Sequence, residues 1–378
     1  MQVLIIADDL TGALDSTVAF ANRGLRSVVL RHPAAMRGFD FASVDVVAVS
    51  TGSRDGSTEA ACAAVAEVVE ALRGLRPSPL SKTVVFKKVD SRLKGHVGAE
   101  TAALAEGLDL KRLLVAPAIP DMGRVVRGGA VIGMGVPEPI SIAACFAGHD
   151  LHIEAPDVDS DSDFDGLWAG DEGMMLVGAR GLAAALARHL APEGKRHVPI
   201  SLPAPALFAI GSRDPITETQ VTALATDRRV VTVIAENGRF FAPLSPGCGV
   251  TLAKLTAGAQ PAGADLAGHL FAEGVCAAIE MQVPATLLGC GGETANALLE
   301  RFSVERLDVI AEILPGVPLS RGTICGRTVN IITKSGGFGD ADTLTRLAGM
   351  VESGHRVQSA GAADKRHDTA PVETEDRP

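Results

Sequence analysis

The 378-residue chain lacks tyrosine, has a single tryptophan and shows no excess of basic residues. Its formal net charge of -10 at pH 7 repels phosphate backbones and anionic lipid surfaces. No apolar run reaches the roughly 18 residues that a membrane span needs, and no signal-peptide pattern follows Met1. We therefore expect no nucleic-acid or membrane partner, and a cytoplasmic protein that acts on a small molecule.

Several familiar site motifs are also missing. The six cysteines contain no CxxC pair and the nine histidines no HxH or HxxxH spacing, so the sequence predicts no zinc or redox site and no metal ligands. Neither a GxxxxGK[ST] loop nor a GxGxxG motif after the first strand is present. These absences exclude a P-loop enzyme and argue against a nicotinamide dehydrogenase.

Short β-rich apolar runs alternate with alanine- and leucine-rich helical patterns along the chain. This alternation is typical of βαβ units, and it predicts an α/β fold of two domains, each with a mainly parallel sheet flanked by helices. A segment rich in proline and charge, residues 191–205, predicts a linker between domains at 1–190 and 206–352. The polar, aperiodic residues 353–378 are predicted to be a disordered tail.

In the first half, charged side chains follow the strands. Ligands of α/β proteins bind at the carboxyl ends of strands, where carboxylates can act as general bases and arginines can hold carboxylates. The candidates are Asp8, Asp9, Thr11 and Asp15 after the first strand, Arg54 after the third, Lys87, Lys88, Asp90, Arg92 and Lys94 around the end of the fourth, and Arg124 after the fifth.

Two local rules qualify these candidates. Because side chains alternate along a strand, only one of Lys87 and Lys88 is expected to face the ligand. An aspartate or Thr11 at the start of the first helix could also serve only as its cap, and the turn around Arg54 could be a solvated surface turn.

In the second half, glycine-bearing loops follow three strands, at residues 211–220, 289–296 and 333–340. Glycine permits close backbone approach, and amides at a helix start can bind phosphates. The three loops together predict a phosphate site, although each could be an ordinary tight turn. Lys334 either contacts those phosphates or only ends its strand.

The segment from Asp161 to Glu172 matches the calcium-loop pattern of EF-hands letter for letter. An EF-hand needs a helix on each side, whereas both flanks here have strand-like patterns. We therefore expect Ser160 or Asp161 to cap a short surface helix around residues 164–168.

Seven motifs in order resemble those of the four-carbon acid sugar kinases: ADDLTGALD, TGSR, KKVDSRLKG, APAIPDMGR, GSRDPIT, GGETA and KSGGFG. The resemblance implies an acid-sugar-binding domain at 1–190, an ATP-binding domain at 206–352 and an active site in the cleft between them. It also implies ATP and Mg²⁺ as cofactors and a threonate-, erythronate- or 3-oxo-tetronate-type substrate. Lys94, where the family usually has arginine, and the stretch after Arg124 depart from the pattern.

The resemblance also divides the candidate residues between two sides of the cleft. It places Asp8, Asp9, Arg54, Lys88, Asp90 and Arg124 on the substrate side. It places Ser212, Gly291, Gly292, Glu293, Thr294, Gly336 and Gly337 on the nucleotide side.

From side-chain chemistry we assign roles within that division. Arg54, with Lys88 or Arg92, is expected to hold the substrate carboxylate. Asp9 or Asp90 is expected to deprotonate the terminal hydroxyl.

Alternatives remain open at this point. One is a kinase of a different hydroxy or keto acid, and another is a non-catalytic sensor of nucleotide or sugar acid. A homodimer is also compatible with the sequence. A phosphatase of the aspartyl-phosphate type would need a DxD motif, whereas Asp8 and Asp9 are adjacent.

Overall fold

The computed structural model describes residues 1–75, 83–167, 173–194, 200–240 and 249–352. In this part of the chain, fourteen strands form one large, mainly parallel sheet and three form a small antiparallel sheet. The predicted α/β class is confirmed.

The strands are β1 (Val3–Ala7), β2 (Ser27–Leu30), β3 (Val46–Ser50), β4 (Val84–Lys88), β5 (Arg112–Ala116), β6 (Arg124–Arg127), β7 (Ala130–Gly133), β8 (Val136–Ser141), β9 (His152–Glu154), β10 (Met174–Gly178), β11 (Ala206–Ile210), β12 (Val230–Glu236), β13 (Val250–Thr256), β14 (Thr286–Cys290), β15 (Arg306–Leu314), β16 (Val317–Ile324) and β17 (Arg327–Lys334). The helices are α1 (Leu10–Asn22), α2 (Thr58–Gly74), α3 (Val97–Leu108), α4 (Ile142–Cys145), α5 (Arg180–Leu190), α6 (Pro215–Leu224), α7 (Ala264–Met281), α8 (Gly292–Arg301) and α9 (Thr343–Gly349).

The first half of the chain forms seven parallel strands in the order β2-β3-β1-β4-β10-β5-β9, which we call the N-terminal block. Every residue of β1 is fully buried, as expected for a central strand with both faces covered. Because β1 pairs in parallel with both β3 and β4, the carboxyl ends of these three strands lie side by side at one edge of the sheet.

The second half forms five parallel strands in the order β12-β13-β11-β14-β17, which we call the C-terminal block. The antiparallel strands β15 and β16 extend this block, and β15 pairs with β2 through residues such as Leu307 and Val29. The sequence predicted a sheet in each domain, and the structure adds that the two are continuous. Strands in a sheet twist relative to their neighbours, so fourteen strands accumulate a large rotation.

The position of the linker between the two domains, predicted at residues 191–205, is a proposal that the contacts of Leu202 help to refine. Leu202 forms a bridge with Val351 and packs with the core of the C-terminal block. We therefore propose that residues 200–205 belong with that block and that the change of domain lies before them. Residues 195–199 of the predicted linker, and the predicted tail at 353–378, lie outside the described residues.

The acidic segment after β9 is a surface turn. Residues Asp161–Phe164 form a short 3-10 helix, and Asp163 accepts a hydrogen bond from the amide of Ser160 (2.7 Å). Ser160 is the N-cap, as predicted, but the helix begins directly after it and ends at Phe164, earlier than the predicted 164–168, of which residue 168 lies outside the described residues. Glu172 of the calcium-loop pattern lies outside the described residues. No helix in the described ranges is long and apolar enough to cross a membrane.

Candidate active site

A cavity of about 450 Å³ lies between the two blocks, and we call it the interblock cavity. Its wall includes residues after β1, β3 and β4 of the N-terminal block and residues after β14 and β17 of the C-terminal block. Strand ends that are far apart in sequence therefore meet at one site. The candidate residues of the sequence analysis that line the cavity are Asp9, Thr11, Asp15, Arg54, Lys88, Asp90, Arg92, Arg124, Gly291, Gly292 and Lys334.

A cluster of two carboxylates and one guanidinium forms the floor of the N-terminal side. Arg54 makes a bidentate contact with Asp8, with Nε donating to Oδ2 at 2.9 Å and Nη2 to Oδ1 at 2.8 Å. Its Nη1 donates to Asp9 Oδ2 at 2.6 Å. Burial alone would raise the pKa of Asp8, but Arg54 and the charges of Lys87 and Lys88 hold it below its ordinary value. Arg54 is thus committed to neutralising two aspartates rather than free to hold a substrate carboxylate.

Asp9 has a second structural role. Its Oδ1 accepts from the amide of Gly12 at 2.7 Å and so caps α1. Burial raises the pKa of Asp9 in spite of the nearby charges of Arg54 and Lys88. Asp9 therefore caps α1 while it lines the cavity, and both of its oxygens accept hydrogen bonds within the chain.

Strand alternation separates the two lysines at the end of β4, as predicted. Lys87 is fully buried, and its Nζ lies 2.7 Å from Glu100 of α3. Lys88 lines the interblock cavity, where its Nζ donates to the carbonyl of Val89 at 3.0 Å. Of the two, Lys88 is the lysine that can contact a ligand.

Arg92 and Arg124 lie close to each other at the cavity wall. A methyl group added to Gly135 would sit 3.3 Å from Arg124 Nη2 and 3.9 Å from Arg92 Nη1. Arg124 donates to the carbonyl of Met134 at 2.8 and 3.0 Å and to the hydroxyl of Ser91, all uncharged acceptors. Burial, together with the charge of Arg92, lowers the pKa of Arg124. Two adjacent guanidiniums make this corner of the cavity the strongest place for a carboxylate.

Asp90 lies beside this pair and accepts from the amide of Arg92 at 2.9 Å. It lines the cavity, and its second oxygen has no hydrogen-bond partner among the described residues. Lys94 is exposed and is not part of the cavity wall. The departure from the family pattern at Lys94 therefore lies outside the lining.

The C-terminal side of the cavity is the start of α8. Gly291 precedes the helix with φ +102°, a conformation that L side chains rarely adopt, and it offers no side chain to cap the first turn. The first amides of a helix have no partner within it, so they are available to an anion. Gly292 lies next to the N-terminal block, because a methyl group added there would be 3.5 Å from Thr11 Oγ1.

Lys334 ends β17 at the same side of the cavity. It is buried, and its Nζ donates to the carbonyl of Ser335 at 3.0 Å and lies 3.9 Å from Cys290 Sγ. No carboxylate of the described chain forms an ion pair with it, and burial lowers its pKa. A buried ammonium beside a helix start is suited to bind phosphate oxygens.

The remaining predicted nucleotide residues support the loops without lining the cavity. A side chain at Gly336 would collide with the hydroxyl of Ser212, and one at Gly211 would collide with that of Thr294. The three glycine loops therefore interlock at close range. The predicted residues outside the cavity wall are Asp8, Ser212, Glu293, Thr294, Gly336 and Gly337.

The sequence analysis gave Asp15 no individual role and did not single out several other lining residues. Asp15, one helical turn after Thr11, lines the cavity, as does Arg180 at the start of α5. Met134 and Phe338 add apolar surface. Asp15 was visible in the first motif, whereas nothing in the sequence around Arg180 or Met134 indicates that the chain brings them here.

Two family models match the chain. Residues 3–144 match a sugar-binding N-terminal domain, and residues 250–344 match a nucleotide-binding C-terminal domain. A D-threonate kinase of Cupriavidus necator is 29% identical, over 91% of this chain and 96% of its own length. A 3-oxo-tetronate kinase of Pseudomonas fluorescens is 27% identical, over 92% of this chain and 97% of its own.

The chain belongs to the four-carbon acid sugar kinase family. A D-erythronate kinase of Heliobacterium modesticaldum is 34% identical over 36% of this chain and 30% of its own length. The two matched regions of the family contain opposite walls of the interblock cavity: Asp9 to Gly135 on one side and Gly291 to Phe338 on the other.

Solved structures share the fold of this family member. A Salmonella typhimurium LT2 protein has a TM-score of 0.74 at 19% identity and covers 92% of this chain and 98% of its own. A Haemophilus influenzae protein has a TM-score of 0.72 at 18% identity and covers 92% of this chain and 100% of its own. At this identity the similarity concerns the fold alone.

Proposed function

We propose that this protein transfers the γ-phosphoryl group of ATP to a hydroxyl group of a four-carbon sugar acid. The observation that carries the proposal is the interblock cavity, in which two guanidiniums face a helix start and a buried lysine across one continuous space. The relatives named as threonate, erythronate and 3-oxo-tetronate kinases support the substrate class.

The carboxylate of the acid binds between Arg92 and Arg124 in this proposal. This changes the sequence-based assignment, in which Arg54 held the carboxylate, because Arg54 already contacts Asp8 and Asp9. The free oxygen of Asp90 accepts from a sugar hydroxyl, and Lys88 neutralises charge in the middle of the cavity. The role of Asp9 or Asp90 as the base stays a prediction.

The triphosphate binds at the start of α8 and beside Lys334. The amides of the first turn of α8 and the ammonium of Lys334 hold phosphate oxygens there through hydrogen bonds and charge. No covalent bond to the protein is needed. Phosphoryl transfer needs mainly alignment and charge neutralisation, and both walls supply cations or amides. Mg²⁺ is included in the proposal because it neutralises the phosphates in such reactions. It is held chiefly by phosphate oxygens and water, since the described chain presents no group of three metal-ligating side chains.

A coupled assay of ADP release over a panel of acids tests this function. The panel contains D- and L-threonate, D-erythronate, 3-oxo-tetronate, three- and five-carbon sugar acids and an uncharged four-carbon polyol. We expect turnover that depends on a four-carbon acid and is lost with the polyol, because the guanidinium pair needs a carboxylate. Turnover with another hydroxy or keto acid alone would replace the substrate class, and ATP binding without turnover on any acid would refute the kinase function.

A further inference from the structure

Three carboxylates line the interblock cavity, and they differ in their hydrogen bonds. Asp9 accepts from Arg54 and from the amide of Gly12, one bond to each oxygen. Asp90 accepts from the amide of Arg92. Asp15 makes no hydrogen bond or ion pair to any residue in the described part of the chain, so both of its oxygens are available to a ligand.

Asp15 also lies where the two blocks approach each other. Thr11 and Asp15 are four residues apart on α1, so they share one face of the helix, and both line the cavity. Thr11 is the neighbour of Gly292 at the start of α8. The negative charge of Glu312, on β15, also acts on Asp15. By contrast, Asp90 lies beside the guanidinium pair, at the end of the cavity where the carboxylate of the acid binds.

We propose that Asp15 is the general base of the transfer, in place of Asp9 or Asp90. This inference rests on the proposed function. One Asp15 oxygen accepts the proton of the sugar hydroxyl as the bond from that hydroxyl oxygen to the γ-phosphorus forms. The bond from the γ-phosphorus to the bridging oxygen of ATP breaks, and ADP leaves with the electron pair. The products are the phosphorylated acid, ADP and the proton on Asp15, which passes to solvent.

The charged groups around Asp15 set the pH at which it can act. Burial raises its pKa above the ordinary value of 3.8, the positive charges of Lys88 and Arg180 lower it, and the negative charges of Glu312 and Asp9 raise it further. A base must be deprotonated, so kcat is expected to rise with pH through this raised pKa. A general base is most effective when its pKa lies close to the working pH, and a raised carboxylate pKa is a change in that direction.

Asp15→Asn tests the assignment directly. We expect kcat to fall by about 100-fold or more, with the rising limb of the pH profile lost and the Kd of the acid, measured by calorimetry, changed by less than about threefold. Asp15→Glu is expected to recover part of the rate. Because the fold disfavours the charged form of Asp15, the Asn variant should melt no lower than the wild type at pH 7, which separates lost chemistry from lost structure.

Glu312→Gln is the matched variant. It keeps an oxygen that can accept from Gly316, as Glu312 does at 2.7 Å, and removes only the charge that acts on Asp15. We expect the rising limb to move to lower pH with the plateau of kcat retained. A plateau kcat within about threefold of wild type in Asp15→Asn, or loss of the limb in Asp90→Asn instead, would overturn the assignment. A wild-type protein without turnover on any acid would refute the proposed function itself.

Discussion

Arg54 determines whether two adjacent aspartates can remain ionised at the floor of the site. Asp8 is 2% exposed, and without the guanidinium fork its buried charge would lose its ion-pair partner. Lysine could supply the charge but not the bidentate geometry with Asp8. The residue therefore stabilises the loop after β3 and the start of α1 together.

Arg54→Ala is expected to lower the free energy of unfolding by about 3 kcal/mol at pH 7, because it removes the guanidinium that both carboxylates contact. The pKa of Asp8 is below 3.8 in the fold, so its contribution is present above pH 3.8 and is lost as the pH falls through the lowered value. The difference in the free energy of unfolding between Arg54→Ala and the wild type should therefore become smaller at acidic pH.

Urea denaturation at pH 7 and at successively lower pH measures this difference. Arg54→Lys is the control, with a smaller loss expected because the charge remains. Equal stability of Arg54→Ala and wild type at pH 7 would show that the cluster contributes no net stability.

At the residue scale, the sequence indicated most of the residues that line the cavity but not the contacts between them. Asp9 and Lys88 were predictable because each lies at or just after the end of an apolar strand, and Arg124 because it follows the proline-rich loop after β5. The pairing of Arg54 with Asp8 depends on the distance between two loops 46 residues apart, which no local pattern contains. That Asp15 has no hydrogen-bond or ion-pair partner among the described residues is likewise a property of its folded surroundings.

Among the secondary-structure elements, β4 connects the core to the site. The side chains of its last two residues lie on opposite faces: Lys87 lies beneath α3, and Lys88 lines the interblock cavity. Glu100 receives Lys87 and also accepts from the hydroxyl of Ser53, one residue before Arg54. The buried pair therefore supports the backbone that carries the active-site arginine.

Lys87→Met should destabilise the protein by about 3–5 kcal/mol, because Glu100 remains as an unpaired buried charge. The double variant Lys87→Met/Glu100→Gln is expected to recover much of that loss, since no lone charge is left. Chemical denaturation of the two single variants and the double variant gives the coupling energy. If Lys87→Met alone unfolds within about 1 kcal/mol of wild type, the pair is not a structural requirement.

Element types were predictable where a local period is strong. In α7 the buried Phe271 and Val275 recur at helical spacing, and Ser57 before α2 is a favourable N-cap, so both helices carry a local signal in the sequence. The strands β15 and β16 and the small sheet of β6, β7 and β8 were not predicted. Their pairing depends on contacts distant in sequence, such as β15 with β2, rather than on the pattern within each segment.

At the scale of the whole molecule, the continuous sheet explains how one site draws on two halves of the chain. The antiparallel hairpin of β15 and β16 joins the blocks, and α1 lies against β15 and next to α8. Groups for the acid and groups for the phosphates therefore occupy opposite walls of a shared cavity. A mutation in one wall should therefore weaken the binding of one ligand and leave the binding of the other unchanged.

Calorimetric titration of one acid and one non-hydrolysable ATP analogue into two variants tests this separation most directly. Arg124→Gln alters the acid wall, and Gly292→Val fills space at the start of α8, where a methyl group meets only Thr11 at 3.5 Å. We predict that Arg124→Gln weakens the acid by about tenfold or more and leaves the analogue unchanged, and that Gly292→Val does the reverse. Loss of the same ligand in both variants, or of neither, would contradict a cavity with an acid wall and a phosphate wall.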